Sequence, residues 1–477
     1  MRRSRGSSAL FPSLEERLAS EHWLTDELLK ARQEIAAGSV MPAIDFATFR
    51  HELSTFDFAS PRPLEEVVAW TNAQLKQGLV HITHPRYFGL FNPSPAFPAQ
   101  CADRIAGAFN PQLASSKTSP VAVEIESHVI RLLAARGGLP PDSGGHFTSG
   151  GTEANFTALV CALTKADSRF AAGGARVFEG DPKFYVSCES HLAWIKIAHE
   201  TGIGRQSARL IGTDGSGRMS PSALRHAIGE DRTRGCSPVM VVATAGTTGA
   251  GMVDPLEDCA AIARENGLWY HVDAAWGGAL IVCDRWREIL AGLNLADSIT
   301  IDAHKWLAAT MGCGMFLIRD VSVLTEAFDV STSFMPSHIP KEDPYVTTAQ
   351  WSRRFMGLRL FLSLAAAGWT GYSEHIERAI ALAAYARELL ERKGWRIVND
   401  SPLAVLCIVP PRNDANLNAI VERILTSGQA WVSVASYEGE KAIRACVSNG
   451  ETAREDVDAL VLALEEAFSS VTMTECP

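Results

Sequence analysis

The 477-residue chain reads as an α/β protein built on a largely parallel sheet, with a helical segment before it and a small α+β unit after it. Three observations carry this. From about residue 120 to 330, short apolar runs alternate with helical patterns. Those runs are continuously apolar rather than alternating, as expected of strands covered on both faces. Outside that region the pattern changes to amphipathic helices at the N-terminal end and mixed short elements at the C-terminal end.

Taken in order, Leu14–Leu29 spaces Leu18, Leu24, Leu28 and Leu29 among charges and reads as a helix. Ser60, Pro61 and Pro63 mark the start of another, because proline is tolerated in a first turn. Leu64, Val67, Val68, Trp70, Leu75 and Leu79 follow at helical spacing. Nothing catalytic stands out there, so residues 1–85 are assigned to a packing or subunit-clasping segment. His81–Pro98, dense in prolines and aromatics, is excluded from regular helix or central strand.

Residues 86–375 form the expected large domain. Val121–Leu133 reads as a helix, and Glu153–Lys165 places Phe156, Leu159, Val160 and Leu163 on one face. Strands are expected at 183–187, 208–211, 238–245, 268–273, 298–302 and 314–318, with helices at 191–200, 220–228 and 255–265. Phe355–Gly368 leads out as a helix. Residues 376–477 give the small unit: helices at 376–392, 417–427 and 453–468, strands at 403–409 and 443–447.

Composition narrows the function. Apolar residues make up 47% and charged ones 21%, an ordinary globular balance. A formal charge of −10 argues against a general nucleic-acid or anionic-membrane binder; the basic cluster Arg2, Arg3 and Arg5 stands alone. No run is long and apolar enough to span a bilayer. Ten cysteines without a CxxC pair suggest neither a disulfide framework nor a zinc site, and a reducing cytoplasm is the expected compartment.

The chemistry concentrates around Lys305. Asp302-Ala303-His304-Lys305 forms a polar turn between the apolar runs 299–301 and 315–318. A lone lysine there could simply snorkel to solvent. The alternative is a lysine in an apolar pocket that forms a Schiff base with a carbonyl cofactor. Two other stretches favour the second reading. Thr148-Ser149-Gly150-Gly151-Thr152 is a glycine turn opening a helix, suited to a phosphate; Thr152 also reads as a plain N-cap. Leu268–Asp273 is an apolar strand ending in an acid, followed by Ala274 and Ala275. A phosphate cradle, a pyridinium partner and an aldehyde-capturing lysine are what pyridoxal 5'-phosphate requires.

In this order the stretches resemble the group II pyridoxal-dependent amino-acid decarboxylases, which include the aromatic-amino-acid, glutamate, cysteine-sulfinate and diaminobutyrate enzymes. The family's lysine signature is met by Ser298, Ile299, Lys305, Trp306, Leu307, Cys313 and Arg319. The resemblance spans roughly residues 70 to 465. It implies the aminotransferase-like (fold type I) architecture, with a sheet of seven-stranded type, and a homodimer wrapped by the N-terminal segment. It implies α-decarboxylation of an L-amino acid, with Lys305 as the cofactor lysine, Asp273 on the pyridine nitrogen, and Ala275 beneath the ring. His191 would stack on the ring, although alone it reads as a helix cap. Thr248 and His304 would lie near the cofactor, and Tyr345 would protonate the substrate carbon, at a spacing about one residue short of the family's; it otherwise reads as an exposed loop tyrosine. Asp302 stands where the animal aromatic and glutamate enzymes have asparagine, and an acid there would repel a phosphate.

The resemblance puts Ile82, Leu90 and Phe91 in the substrate side-chain pocket, while Trp276 looks more like the acidic-substrate branch. Aromatic, acidic and diamino substrates therefore stay open. A decarboxylating aldehyde synthase of the same family is the nearest alternative activity, and an aminotransferase a further one.

Overall fold

The computed structural model describes residues 10–330, 343–412 and 415–474; Arg2, Arg3 and Arg5 lie outside them. The chain divides into two compact units. One gathers Met1–Phe88, Asn418–Val432 and Glu451–Pro477, and the other Gly89–Leu417 and Ser433–Gly450.

The second unit is organised on a seven-stranded sheet. Its strands are β1 (Gly144–Thr148), β2 (Pro182–Ser187), β3 (Ala208–Ile211), β4 (Ser237–Thr244), β5 (Trp269–Asp273), β6 (Ser298–Asp302) and β7 (Gly314–Ile318). They run in the order β1-β7-β6-β5-β4-β2-β3. Neighbours from β3 through β6 pair in parallel, and β7 pairs antiparallel to both β6 and β1. The inner strands β5, β6 and β7 are buried along their whole length, which explains their unbroken apolar character. A core of Phe184, Val186, Trp194, Val242 and Phe316, packed with Leu159 and Leu163 of the helix Gly151–Ala166, covers one face.

The sheet matches the expected largely parallel architecture, with β1 as an addition. The sequence pattern assigns no strand at its Gly144-Gly145 pair, and glycine weakens a strand. Here glycine is required. Gly145 has φ 137°, and a Cβ on it would lie 1.9 Å from the carbonyl oxygen of Phe316 on β7.

A second, four-stranded antiparallel sheet belongs to the same unit: β8 (Arg396–Ile397), β9 (Val405–Val409), β10 (Ser433–Tyr437) and β11 (Glu440–Cys446), in the order β10-β11-β9-β8. The two helices expected at 355–368 and 376–392 are one element, Leu358–Arg392, kinked at Gly368, whose φ of 63° only glycine adopts readily. In the first unit, the helix Leu14–Ala37 opens with a capping box, Ser13 and Glu16 satisfying each other's backbone N–H. Leu14, Leu18, Leu28 and Leu29 on it are all exposed.

The parallel register places Thr244 beside Asp273, and Asp273 beside Thr300, two residues before Asp302. The carboxyl ends of three adjacent strands thus open onto one place, where ligands bind in sheets of this kind.

Candidate active site

Beyond those strand ends lies a cleft of about 300 Å³. Its lining includes Gly150, Gly151, Thr152, His191, Thr248, Asp273, Ala275, His304, Lys305 and Phe91, all from the second unit.

The glycine turn joins β1 to the helix Gly151–Ala166. Gly150 caps it at φ 157°. The first amides of a helix have no intrahelical partner, and its dipole favours an anion there. Close approach is built in: a Cβ on Gly151 would lie 2.8 Å from Asp302 Oδ2, and one on Gly314 would lie 2.7 Å from Gly150 Cα. Glu153, in the helix's first turn, accepts from the backbone N–H and hydroxyl of Ser149 at 2.8 and 2.6 Å. The Gln350 amide donates to both oxygens of Glu153 at 2.7 Å.

Asp273 ends β5 and is 5% exposed. Oδ2 accepts from the Asn155 amide at 2.7 Å, and Oδ1 from the Ala275 backbone N–H at 3.2 Å. Both oxygens are therefore held, with lone pairs left for a further donor. Behind it, burial pushes the fully buried His271 imidazole down, to about 4, so it is neutral at physiological pH.

Lys305 follows β6 by three residues. Its Nζ lies 3.0 Å from Asp302 Oδ2 and 5.8 Å from the Phe91 ring centroid. Phe91, Trp276 and Trp306 form a continuous stack, with centroids 4.2 and 4.4 Å apart. This wall keeps one side of the lysine apolar. Arg444 on β11 has its Cζ 4.6 Å from the Phe91 ring centroid and donates to the carbonyls of Thr248 and Gly89. His304 is buried and donates from Nδ1 to the Cys313 carbonyl at 3.0 Å. His191 lines the cleft, and its Nδ1 accepts from the Ala193 N–H at 3.1 Å, as the helix-cap reading expects.

Three expected residues are placed elsewhere. Tyr345 sits in the short helix Pro344–Thr347, its N–H bonded to the Ala114 carbonyl and its ring against Trp351, and it is not among the lining residues. Leu90 is 52% exposed, and Ile82 belongs to the first unit. Conversely, Asn155, His271, Glu153 and Arg444 were not singled out. Asn155 carried a signal: it follows Thr152 by three residues and so shares its face of the helix.

The residues fit a phosphate-bearing aldehyde with a pyridine nitrogen. First-turn amides at Gly151 and Thr152 suit the phosphate, Asp273 the nitrogen, Lys305 the aldehyde, and Ala275 leaves space beside Asp273. The comparisons agree. Residues 55–408 match the pyridoxal-dependent decarboxylase conserved domain. The chain is 30% identical over 406 residues to the acidic amino acid decarboxylase GADL1 of Bos taurus, covering 80% of this chain and 77% of that one. It is 27% identical to the aromatic-L-amino-acid decarboxylase of Bacillus atrophaeus, over 97% of both chains. It is also 27% identical to the 4-hydroxyphenylacetaldehyde synthase of Rhodiola rosea, over 86% of both. Among solved structures, mouse CSAD superposes with a TM-score of 0.86 at 26% identity, over 94% of this chain and 99% of that one.

The chain belongs to the pyridoxal-dependent decarboxylase family. It is a carboxy-lyase of the fold type I class that uses pyridoxal 5'-phosphate.

Proposed function

We propose that the chain removes the α-carboxylate of an L-amino acid as carbon dioxide and releases the corresponding amine. The observation that carries this reading is the meeting of Lys305, Asp273, His191 and the Gly150–Thr152 turn in one cleft at the strands' carboxyl ends. When bound, pyridoxal 5'-phosphate supplies an electron-poor ring that accepts the electron pair left by the departing carbon dioxide. Lys305 would hold the cofactor's aldehyde through its ε-amine. Asp273 would keep the ring nitrogen protonated by accepting from it, and His191 would help orient the reacting groups. The Phe91–Trp276–Trp306 stack excludes water from one wall, which strengthens the electrostatics within. Tyr345 is the proposed donor of the proton that replaces carbon dioxide.

The substrate is an aromatic, acidic or diamino acid; the matched relatives carry names from both the acidic and the aromatic groups. The match to an aldehyde synthase supports a second reading, in which the substrate carbon meets oxygen rather than a proton.

A homodimer is part of the proposal. Its support is the apolar stripe Leu14, Leu18, Leu28 and Leu29, exposed on a helix with no buried residue. The N-terminal segment 1–85 would clasp the partner, ahead of the large domain 86–375 and the small domain 376–477. A reducing cytoplasm is favoured by nine unpaired cysteines among the described residues.

The test is a panel of L-amino acids assayed for carbon dioxide, amine, aldehyde and peroxide together, with light scattering on the active sample. Amine equal to carbon dioxide, from a dimer, is expected. Aldehyde with peroxide as the main products would install the second reading, and no carbon dioxide from any substrate would refute both.

A further inference from the structure

Five buried residues form one hydrogen-bonded line that reaches the cleft at Asn155 and Asp273. Trp269, Ser298, His271, Asn155 and Asp273 are each no more than 8% exposed. The distances are 2.9 Å from Trp269 Nε1 to Ser298 Oγ, 2.8 Å from Ser298 Oγ to His271 Nδ1, 3.1 Å from His271 Nε2 to Asn155 Oδ1, and 2.7 Å from Asn155 Nδ2 to Asp273 Oδ2.

The carboxylate end of this line sets its direction, and the indole end is compatible with it. An indole nitrogen donates and cannot accept, so Ser298 Oγ receives the Trp269 proton. The Ser298 hydroxyl keeps its own proton free to turn to His271 Nδ1, which is the arrangement required if the imidazole proton is on Nε2. At the other end a carboxylate only accepts, so Asn155 must turn its NH2 to Asp273 and its oxygen to His271. The Nε2 proton meets that oxygen, and every donor finds one acceptor. Reversing either the imidazole tautomer or the amide would set two acceptors or two donors face to face in a buried site, which is costly. Thr300 Oγ1, 3.4 Å from His271 Nε2, is a longer contact on the same side. The imidazole also meets the Ser298 backbone and the rings of Trp194 and Phe316, and Asp273 is the charged group that acts on it.

We propose that Asn155 and His271 are positioning residues for Asp273, forming a one-way relay that fixes Asp273 as an acceptor in a set orientation toward the cofactor's nitrogen. Neither touches the cleft chemistry through its own proton. His271 acts through Asn155, and Asn155 acts through Asp273. The inference rests on the cofactor assignment and not on which amino acid is the substrate.

The test uses the full chain labelled with ¹⁵N-histidine, with and without pyridoxal 5'-phosphate. His271, identified by the signal lost in His271→Gln, should show the neutral Nε2–H tautomer from pH 5 to 8. An imidazolium or an Nδ1–H tautomer overturns the relay whether or not cofactor binds. Cofactor affinity supplies the second readout. Asn155→Ala and His271→Leu should each weaken it at least tenfold. His271→Gln should stay within about threefold of wild type, because a glutamine amide can accept from Ser298 and donate to Asn155. Equal loss in His271→Gln and His271→Leu would reduce the residue to packing, and wild-type affinity in Asn155→Ala would remove the relay. If Asn155→Ala does not fold, the two His271 variants and the tautomer decide.

Discussion

Asp302 Oδ2 lies 3.0 Å from Lys305 Nζ, and the same oxygen is 2.8 Å from where a Cβ on Gly151 would sit. One carboxylate thus stands between the lysine and the glycine turn. The ammonium is its counter-charge, while any phosphate on the turn meets it as a like charge. Asp302→Asn keeps the shape and removes that charge. It should bind pyridoxal 5'-phosphate about fivefold more tightly, on the order of 1 kcal/mol, in an equilibrium titration. Weaker binding would mean that holding Lys305 outweighs the repulsion.

Asp273→Asn should retain some cofactor, more weakly held, and lose turnover by roughly a hundredfold or more even when saturated, since each unit of ring-nitrogen pKa lost costs about 1.4 kcal/mol of the protonated form. Steady-state carbon dioxide release at saturating cofactor measures it. Turnover near wild type would detach Asp273 from the nitrogen.

Lys305, Asp273 and the Gly150–Thr152 turn were legible in the sequence because each is a local pattern, a polar residue placed where an apolar run ends. β1 was not, because its glycines answer to the Phe316 carbonyl on a strand some 170 residues away. Asn155 and His271 are separated by 116 residues, and only the fold brings them together. Tyr345 is assigned by family resemblance alone, and its N–H meets the Ala114 carbonyl and its ring Trp351. For β1 and for the Asn155–His271 pair, a long-range contact decided what composition and periodicity could not.

Tyr345→Phe separates amine from aldehyde formation. Burial, with Asp329 and Asp343 nearby, pushes the Tyr345 phenol up, so it is a protonated donor throughout the physiological range. The variant should release carbon dioxide more slowly and divert product to aldehyde, ammonia and peroxide in the presence of oxygen. Amine yield and rate equal to wild type would remove Tyr345 from the reaction.

His146 on β1 is buried, its Nε2 has no hydrogen-bond partner among the described residues, and burial pushes its imidazole down, to about 4. The unfolded chain therefore binds a proton below about pH 6.5 that the folded chain refuses until about pH 4. Stability from this residue is full above pH 6.5 and falls as the pH drops toward 4. His146→Phe should lose less stability than wild type between pH 8 and pH 5, by about 2 kcal/mol in urea unfolding. An unchanged pH dependence would show that His146 charges in the folded state.

The account turns on Lys305 as the residue that holds the cofactor. Borohydride reduction of the full chain with pyridoxal 5'-phosphate, followed by peptide mass spectrometry, tests this directly. The pyridoxyl adduct is expected on the peptide carrying Lys305, with loss of both adduct and visible absorption in Lys305→Ala. A stoichiometric adduct on any other lysine, or one that persists in Lys305→Ala, would contradict the assignment.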